Sequence, residues 1–391
     1  MIYWIWLQAA VGFTFKNVKP MLNSFKTAEN VYNATPSDLE FSGLFSKTAL
    51  SRLKNKNLDA ARKILNECKK REIEIVTLAD KRYPPLLKEI DNPPVLLYAK
   101  GNLELLDCRP CVCIVGPREV SVFGKKAAFS LSARLSAGGF TIVSGGAKGS
   151  DTAAHKGALA VGGNTVCVLA VGIGDDYLAL NKELREVIAN KGLLVSEFPP
   201  FSTVRKGTFS IRNRIMSGMT LGTVVIEADE QSGALITANH AIEQNRDVFV
   251  IPGNPTLEHY KGSNKLLQEG AKALLEAKDV FLEYLGNYPH KIYLEKAYNQ
   301  KIVIPNEEAQ KPLAPPKPKE NDKKEVFIKK NIITPLSNNA KMVYNQLDKQ
   351  VFLVDEIVVG ELNSSQLLAA ITELEIFGYI EALPGGRYTL K

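Results

Sequence analysis

Five cysteines and four histidines in 391 residues leave little material for several kinds of chemistry. Five thiols in a chain of this length do not make a disulfide framework, and the default for such a chain is a reducing cytoplasm. Cys108 and Cys111 form a Cys-x-x-Cys pair. A thioredoxin-type pair opens a helix, where the thiolate is stabilised; this one runs into a strand pattern. No second Cys/His cluster completes a zinc site, so both residues are expected to be buried and structural. The histidines are scattered, without metal-ligand spacing or a nucleophile–base pattern. No apolar run approaches the ~18 residues that a membrane span needs. The opening MIYWIWLQAA has no positive n-region and no small-residue cleavage site, so it is expected to start a buried helix.

What the sequence does have is a basic balance, +7 overall, unevenly spread. Residues 1–90 carry 15 Lys/Arg against 9 Asp/Glu, residues 91–300 are near balance at +1, and residues 335–391 carry 4 basic against 7 acidic groups. Modest basicity suits a polyanion partner. Four regions are expected: a helical N-terminal domain (1–80), an α/β domain (81–290), a Pro/Lys-rich disordered linker (291–334) and a small C-terminal domain (335–391). The linker rests on NEEAQKPLAPPKPKENDKKE, which has no periodicity. In the last region, SNNAKMVYNQLD, LVDEIVVG and NSSQLLAAITELEIFGYI read as helices. With a hairpin across Pro384-Gly385-Gly386 they suggest a winged helix.

The α/β expectation comes from alternation. The runs CVCIVG, FTIVSG, NTVCVLAVG, LLVSE, GTVVIEA and DVFVIPG are apolar and β-rich, and helical patterns lie between them. Near-continuous apolar strands separated by helices imply a mostly parallel sheet covered on both faces. That is a Rossmann-like, doubly wound domain, whose ligands lie beyond the carboxyl ends of the strands.

Three segments beyond such strand ends carry candidate chemistry. In CIVGPREV, Gly116 ends a strand and Arg118 follows, a residue able to grip a phosphate bidentately. In VSGGAKGSDTAAH, Ser144, Gly145 and Gly146 lead to Lys148 and a helix start. The loop amides could cradle an anion, with Lys148 adding a point charge. No Gly-Lys-Ser/Thr closes this loop as in a P-loop, and it is not Gly-x-Gly-x-x-Gly with an acid ~20 residues on. The anion could therefore belong to a nucleotide or to a nucleic acid strand. In RKGTFSIRNRIMSGM, Lys206, Phe209, Arg212, Asn213 and Arg214 combine cations with an aromatic, a pattern that suits single strands. Ser232-Gly233 opens one more helix beyond a strand.

Taken in order, IVGPREVSVFG, TIVSGGAKGSDTAAHKGAL, VCVLAVGIGDDY, LLVSEFPP, FSIRNRIMSG, VVIEADEQSGALITANHA and RDVFVIPGNP…KGSNKLLQEGA resemble the DNA-processing protein A (DprA, also called Smf) family. The resemblance covers roughly residues 80–285. It implies a cytoplasmic bacterial protein of natural transformation. Such a protein binds incoming single-stranded DNA, protects it and helps load the RecA recombinase. It works as a homodimer through its Rossmann domain, without a cofactor and without catalysing a reaction. On the family pattern Arg118, Lys148, Lys206, Phe209, Arg212, Asn213 and Arg214 match the strand-binding pocket, and Gly116, Ser144, Gly145 and Gly146 its backbone cradle. Pro117 stands where the family commonly has Ser, and SGGAKGSD replaces a commoner Ser-Gly-Leu-Ala-Arg/Lys-Gly-Ile-Asp.

Two rivals remain. Nucleoside monophosphate phosphoribohydrolase-like enzymes share the fold but carry Pro-Gly-Gly-x-Gly-Thr-x-x-Glu, whose Glu works on the ribose. The corresponding QSGALITANHA has neither that glycine pattern nor the Glu. An adaptor would use its end domains for protein contacts. The expected recognition helix NSSQLLAAITELEIF has two Glu and no Lys or Arg, which suits protein better than a major groove. The N-terminal SGLFSKTALSRLKNK loosely resembles a helix-hairpin-helix and could extend a DNA path. SNKLLQEGAKALLE reads as helical and could form a dimer face.

Overall fold

Strand β3 (Cys111–Val115) shows why the chain builds a covered sheet. Its five residues are all buried. Cys111, Cys113 and Val115 face one apolar cluster, while Val112 and Ile114 face another. A strand packed on both sides needs helices on both sides. The computed structural model describes residues 1–174, 181–304, 336–347, 351–354, 357, 362–383 and 387–390. The chain divides into two units, Met1–Pro305 and Asn306–Lys391.

In the first unit, β4 (Thr141–Ser144), β5 (Thr165–Leu169), β6 (Leu193–Ser196), β7 (Gly222–Val225), β8 (Asp247–Val250) and β9 (Lys272–Ala273) run parallel with β3. Two more strands, β1 (Glu74–Thr77) and β2 (Leu96–Gly101), add antiparallel pairs beyond β6. The order is β1-β2-β6-β5-β4-β3-β7-β8-β9. The sequence thus winds outward twice from β3, and the order reverses between β3 and β7. That is the mostly parallel, doubly wound sheet expected. The helices α8 (Val122–Ala137), α9 (Ser150–Ala160), α10 (Lys182–Lys191), α11 (Thr208–Gly218) and α12 (Gly233–Glu243) alternate with these strands.

The N-terminal helices are α1 (Ile2–Val11), α2 (Val18–Phe25), α3 (Ala28–Asn33), α4 (Pro36–Phe41), α5 (Lys47–Leu53) and α6 (Asp59–Lys70). The apolar stretch of α1 is indeed buried, with Ile5, Trp6 and Leu7 at most 5% exposed. These helices share one apolar cluster with a face of the sheet. A boundary at residue 80 therefore cuts through packed structure, since β1 already pairs with β2. The proline-rich stretch after β1 contains a short helix, α7 (Pro85–Glu89), with proline in its first turn, where the missing N–H costs nothing.

Two further expectations are corrected. Residues 291–299 are not linker: a helix spans Leu294–Asn299, Ile292 and Ala297 are buried, and Arg134 Nη1 donates to the Ala297 carbonyl at 3.0 Å. SNKLLQEGAKALLE is not one helix. Its helix ends at Gln268, Gly270 takes φ +104°, and Lys272–Ala273 joins the sheet. Apolar spacing alone cannot distinguish a continuing helix from a helix followed by an edge strand.

In the second unit, helices Asn338–Gln346 and Ser364–Ile376 pack beside an antiparallel sheet of Val351–Leu353, Arg387–Leu390 and Ile380–Leu383, the pattern of a winged helix. Most of the expected middle helix, the Pro384-Gly385-Gly386 turn and the remaining linker lie outside the described residues.

Candidate nucleic-acid interface

The two loops at the carboxyl ends of β3 and β4 are stitched together. Ser150 N and Oγ both lie 3.3 Å from the Pro117 carbonyl and donate to it. Gly149 has φ +77°, and a Cβ there would strike the Pro117 and Arg118 carbonyls, so only glycine permits the approach. Gly116 is pressed against the Ser150 side chain in the same way. The result places Arg118 and Lys148, both exposed, on adjoining loops.

Phe209, in the first turn of α11, completes the surface. The Arg118 guanidinium carbon sits 5.0 Å from the Phe209 ring centroid, a cation–π distance. Lys206 is exposed just ahead of α11, as is Arg205, a neighbouring cation that sequence reading passed over. Its signal was present, since it adjoins Lys206. Arg118, Lys148, Lys206 and Phe209 are thus placed on the loops and helix start at one edge of the sheet.

The remaining candidates are inside. Ser144 is buried, and its Oγ donates to the Ile114 carbonyl at 2.7 Å. Arg212 is 5% exposed, and its Nη1 donates to the carbonyls of Gly145 and Val168, both at 2.6 Å. A Cβ on Gly145 would collide with that guanidinium. Asn213 caps Arg212 Nε at 3.0 Å and donates to the Gly233 carbonyl at 3.4 Å. Arg214 is 3% exposed and pairs with the buried Glu197 at 2.6 Å. It also donates to the Phe13 carbonyl at 2.5 Å. These three side chains were expected in a strand-binding pocket, but α11 is enclosed by sheet and helices along this stretch, which turns them inward. They hold the loops; they do not face solvent.

Part of the expected backbone cradle is engaged within the chain. The Ala147 amide donates to Asp151 Oδ2 at 3.2 Å, and the Gly145 amide faces the same buried carboxylate. Burial pushes the Asp151 carboxyl above its ordinary value, against the pull of Arg212. Asn181 binds the Gly146 carbonyl at 2.9 Å, and Thr152 the Ala147 carbonyl at 2.7 Å. The loop therefore closes on an anion of its own chain. A carboxylate just past a glycine loop is the sequence signal for this closure, and Asp151 supplies it. A second buried carboxylate stands at the strand-order reversal. Glu227, past the end of β7, accepts from Ser121 N at 3.0 Å, from Ser121 Oγ and from Tyr260 Oη at 3.1 Å. It fills the N-terminus of α8, where a doubly wound fold would bind a nucleotide phosphate. A carboxylate so committed is poorly placed to activate water for the phosphoribohydrolase reading.

The five cysteines are buried with free thiols, and burial pushes Cys167 up to about 12, too high for a reactive thiolate. Among the described residues no group of His, Cys, Asp and Glu could hold a metal ion, and no helix is long and apolar enough to cross a membrane.

Comparison with known proteins bears on the fold and the family. Residues 74–285 match the family model described as DNA recombination-mediator protein A, and residues 329–386 match that of the DprA winged helix domain. Protein Smf of Synechocystis is 32% identical over 408 residues, spanning 99% of this chain and 98% of that one. The X-ray structure of DprA from Streptococcus pneumoniae has a TM-score of 0.64 at 35% identity, covering 72% of this chain and 98% of that chain. DNA processing protein A from Helicobacter pylori, known for its single-stranded DNA binding mode, has a TM-score of 0.51 at 28% identity, covering 56% and 97%.

Proposed function

The chain belongs to the DNA-processing protein A (DprA/Smf) family, and on that footing we propose that it binds single-stranded DNA at the carboxyl edge of its sheet. The observation that carries this is the Arg118–Phe209 pair with Lys148 and Lys206 on the flanking loops. Cations set around a ring grip phosphates and stack a base without reading sequence. With the Gly145 and Ala147 amides turned to Asp151 and the Ser121 amide to Glu227, the exposed side-chain cations are the strand's chief anchors. Within this reading the protein acts in the cytoplasm during natural transformation, shields incoming strands and hands them to the RecA recombinase. It does so as a homodimer through the sheet unit, with no reaction catalysed and no cofactor used. Exposed Ile236 and Ile242 on α12 offer apolar surface for such a dimer.

The test is fluorescence anisotropy with labelled oligo-dT and a duplex of equal length, at two salt concentrations. Wild type should prefer the single strand, with each phosphate contact adding about 0.7 to the log–log salt slope. The Arg118→Ala/Lys148→Ala double variant should lose both affinity and slope. A variant that binds like wild type, or equal binding to the duplex, would overturn the assignment of this pocket.

A further inference from the structure

The loop that follows β6 is fixed at its backbone and bare at its tip. Gly172 N donates to the Ser202 carbonyl at 2.8 Å, and Ser202 N to that of Pro199 at 2.9 Å. A Cβ on Gly172 would run into the Pro199 and Pro200 carbonyls, so the loop is clamped to the end of β5. Yet Phe201 at its tip is 56% exposed. A lone exposed ring would call for no explanation. This one has cations after it in the chain and beside the loop it is clamped to. Arg205 and Lys206 follow it. Arg71, just past α6 of the N-terminal helices, stands at Gly174, two residues from the Gly172 clamp, where a Cβ would strike its guanidinium. Glu67 pairs with Arg71 across one turn, and Lys100 Nζ donates to the Arg71 carbonyl at 2.8 Å. The Arg71 side chain is still 41% exposed, and Lys69 and Lys70 beside it are exposed as well.

The sheet orders these groups. Arg118 lies beyond β3, Lys148 beyond β4, Gly172 and Gly174 beyond β5, and Phe201 beyond β6, and these strands are consecutive neighbours. Three inter-strand spacings of about 4.8 Å separate the first from the last, roughly 14 Å in all. Resting on the reading of the Arg118 pocket as a single-strand site, we propose that the bound strand continues past it. It passes Arg71, beside Gly174 beyond β5, which holds a phosphate from the N-terminal helices, and reaches Phe201 beyond β6, which stacks a second base. Single-stranded nucleic acid is the occupant because exposed cations and exposed rings share the loops of neighbouring strands, and any base can stack on an aromatic face.

The test compares labelled oligo-dT of about 5 and about 15 nucleotides, lengths spanning common single-strand site sizes. Phe201→Ala should weaken the longer oligomer by about 5- to 150-fold, the span of one lost stack, and leave the shorter one within about twofold. Arg71→Gln should lower the salt slope by about 0.7 for the longer oligomer alone, and Arg71→Lys should restore it. Both variants should melt at the wild-type temperature. Wild-type affinity of both variants for the longer oligomer would overturn the extension while leaving the pocket standing, provided that Arg118→Ala/Lys148→Ala still fails. Equal weakening at both lengths would place Phe201 inside the pocket and also overturn the extension. No binding of either length by wild type would overturn the pocket and the extension together.

Discussion

Arg118 and Arg212 carry the same charge and lie in the same family motifs, but they do different work. Arg118 stands in solvent over the Phe209 ring, whereas Arg212 is buried beneath the glycine loop and spends its hydrogen bonds on two carbonyls. Removing Phe209 therefore tests the surface alone. Phe209→Ala should cost ~1–3 kcal/mol of single-strand affinity by losing one stacked base, with the loss similar for oligo-dT and oligo-dC by anisotropy. Nothing in the spelling Arg-Asn-Arg separates an outward cation from an inward one. Buried arginine needs partners on other segments, here Gly145, Val168, Glu197 and Phe13, all distant in sequence. That is why the exposure of the cations on the two strand-end loops was legible from the sequence and the burial of those in α11 was not.

At the scale of elements, α11 joins three parts of the first unit: its start carries the ring, its middle braces the loop after β4, and Arg214 reaches the N-terminal helices through Phe13. Gln8 of α1 donates to the Glu197 carbonyl at 3.0 Å, so both residues of the buried ion pair touch the N-terminal helices. Burial pushes the Glu197 carboxyl up to about 7, outweighing the Arg214 charge beside it. A carboxyl raised in the folded state contributes stability that is fully present below its unfolded value and is lost as pH rises through about 7. Buried His155, lowered to about 3, acts in the opposite sense between there and its unfolded value, so the comparison must be made between variants. In urea unfolding from pH 5 to 8, Glu197→Gln should remove a downward component of the wild-type stability profile; an unchanged profile would refute this. The strands themselves were legible, because β3 to β8 are short, apolar and bounded by glycine or polar turns. The antiparallel pair β1–β2 was not, because its partner strand β6 lies about a hundred residues further on.

At the scale of the whole molecule, charge divides the chain. The basic N-terminal region and the acidic C-terminal region stand at opposite ends of the sequence. The winged-helix unit presents Leu368 and Ile376 to solvent, at 54% and 75% exposure, on a helix that holds no Lys or Arg. A helix of that kind offers little to a phosphate backbone. Deleting residues 336–391 should therefore leave single-strand affinity within a few-fold in the same anisotropy assay. A large loss would mean that this unit supplies DNA contacts of its own.

The carboxylates under the glycine loop and at the start of α8 bear on competition inside a cell. ATP, GTP and their hydrolysis products are abundant anions that seek out free helix N-termini. Here Asp151 takes loop amides ahead of α9, and Glu227 takes the amide at the start of α8. On the proposed reading, a strand held by Arg118 and Lys148 shares neither place with a metabolite, so ATP should displace oligo-dT from it only as far as its ionic strength does.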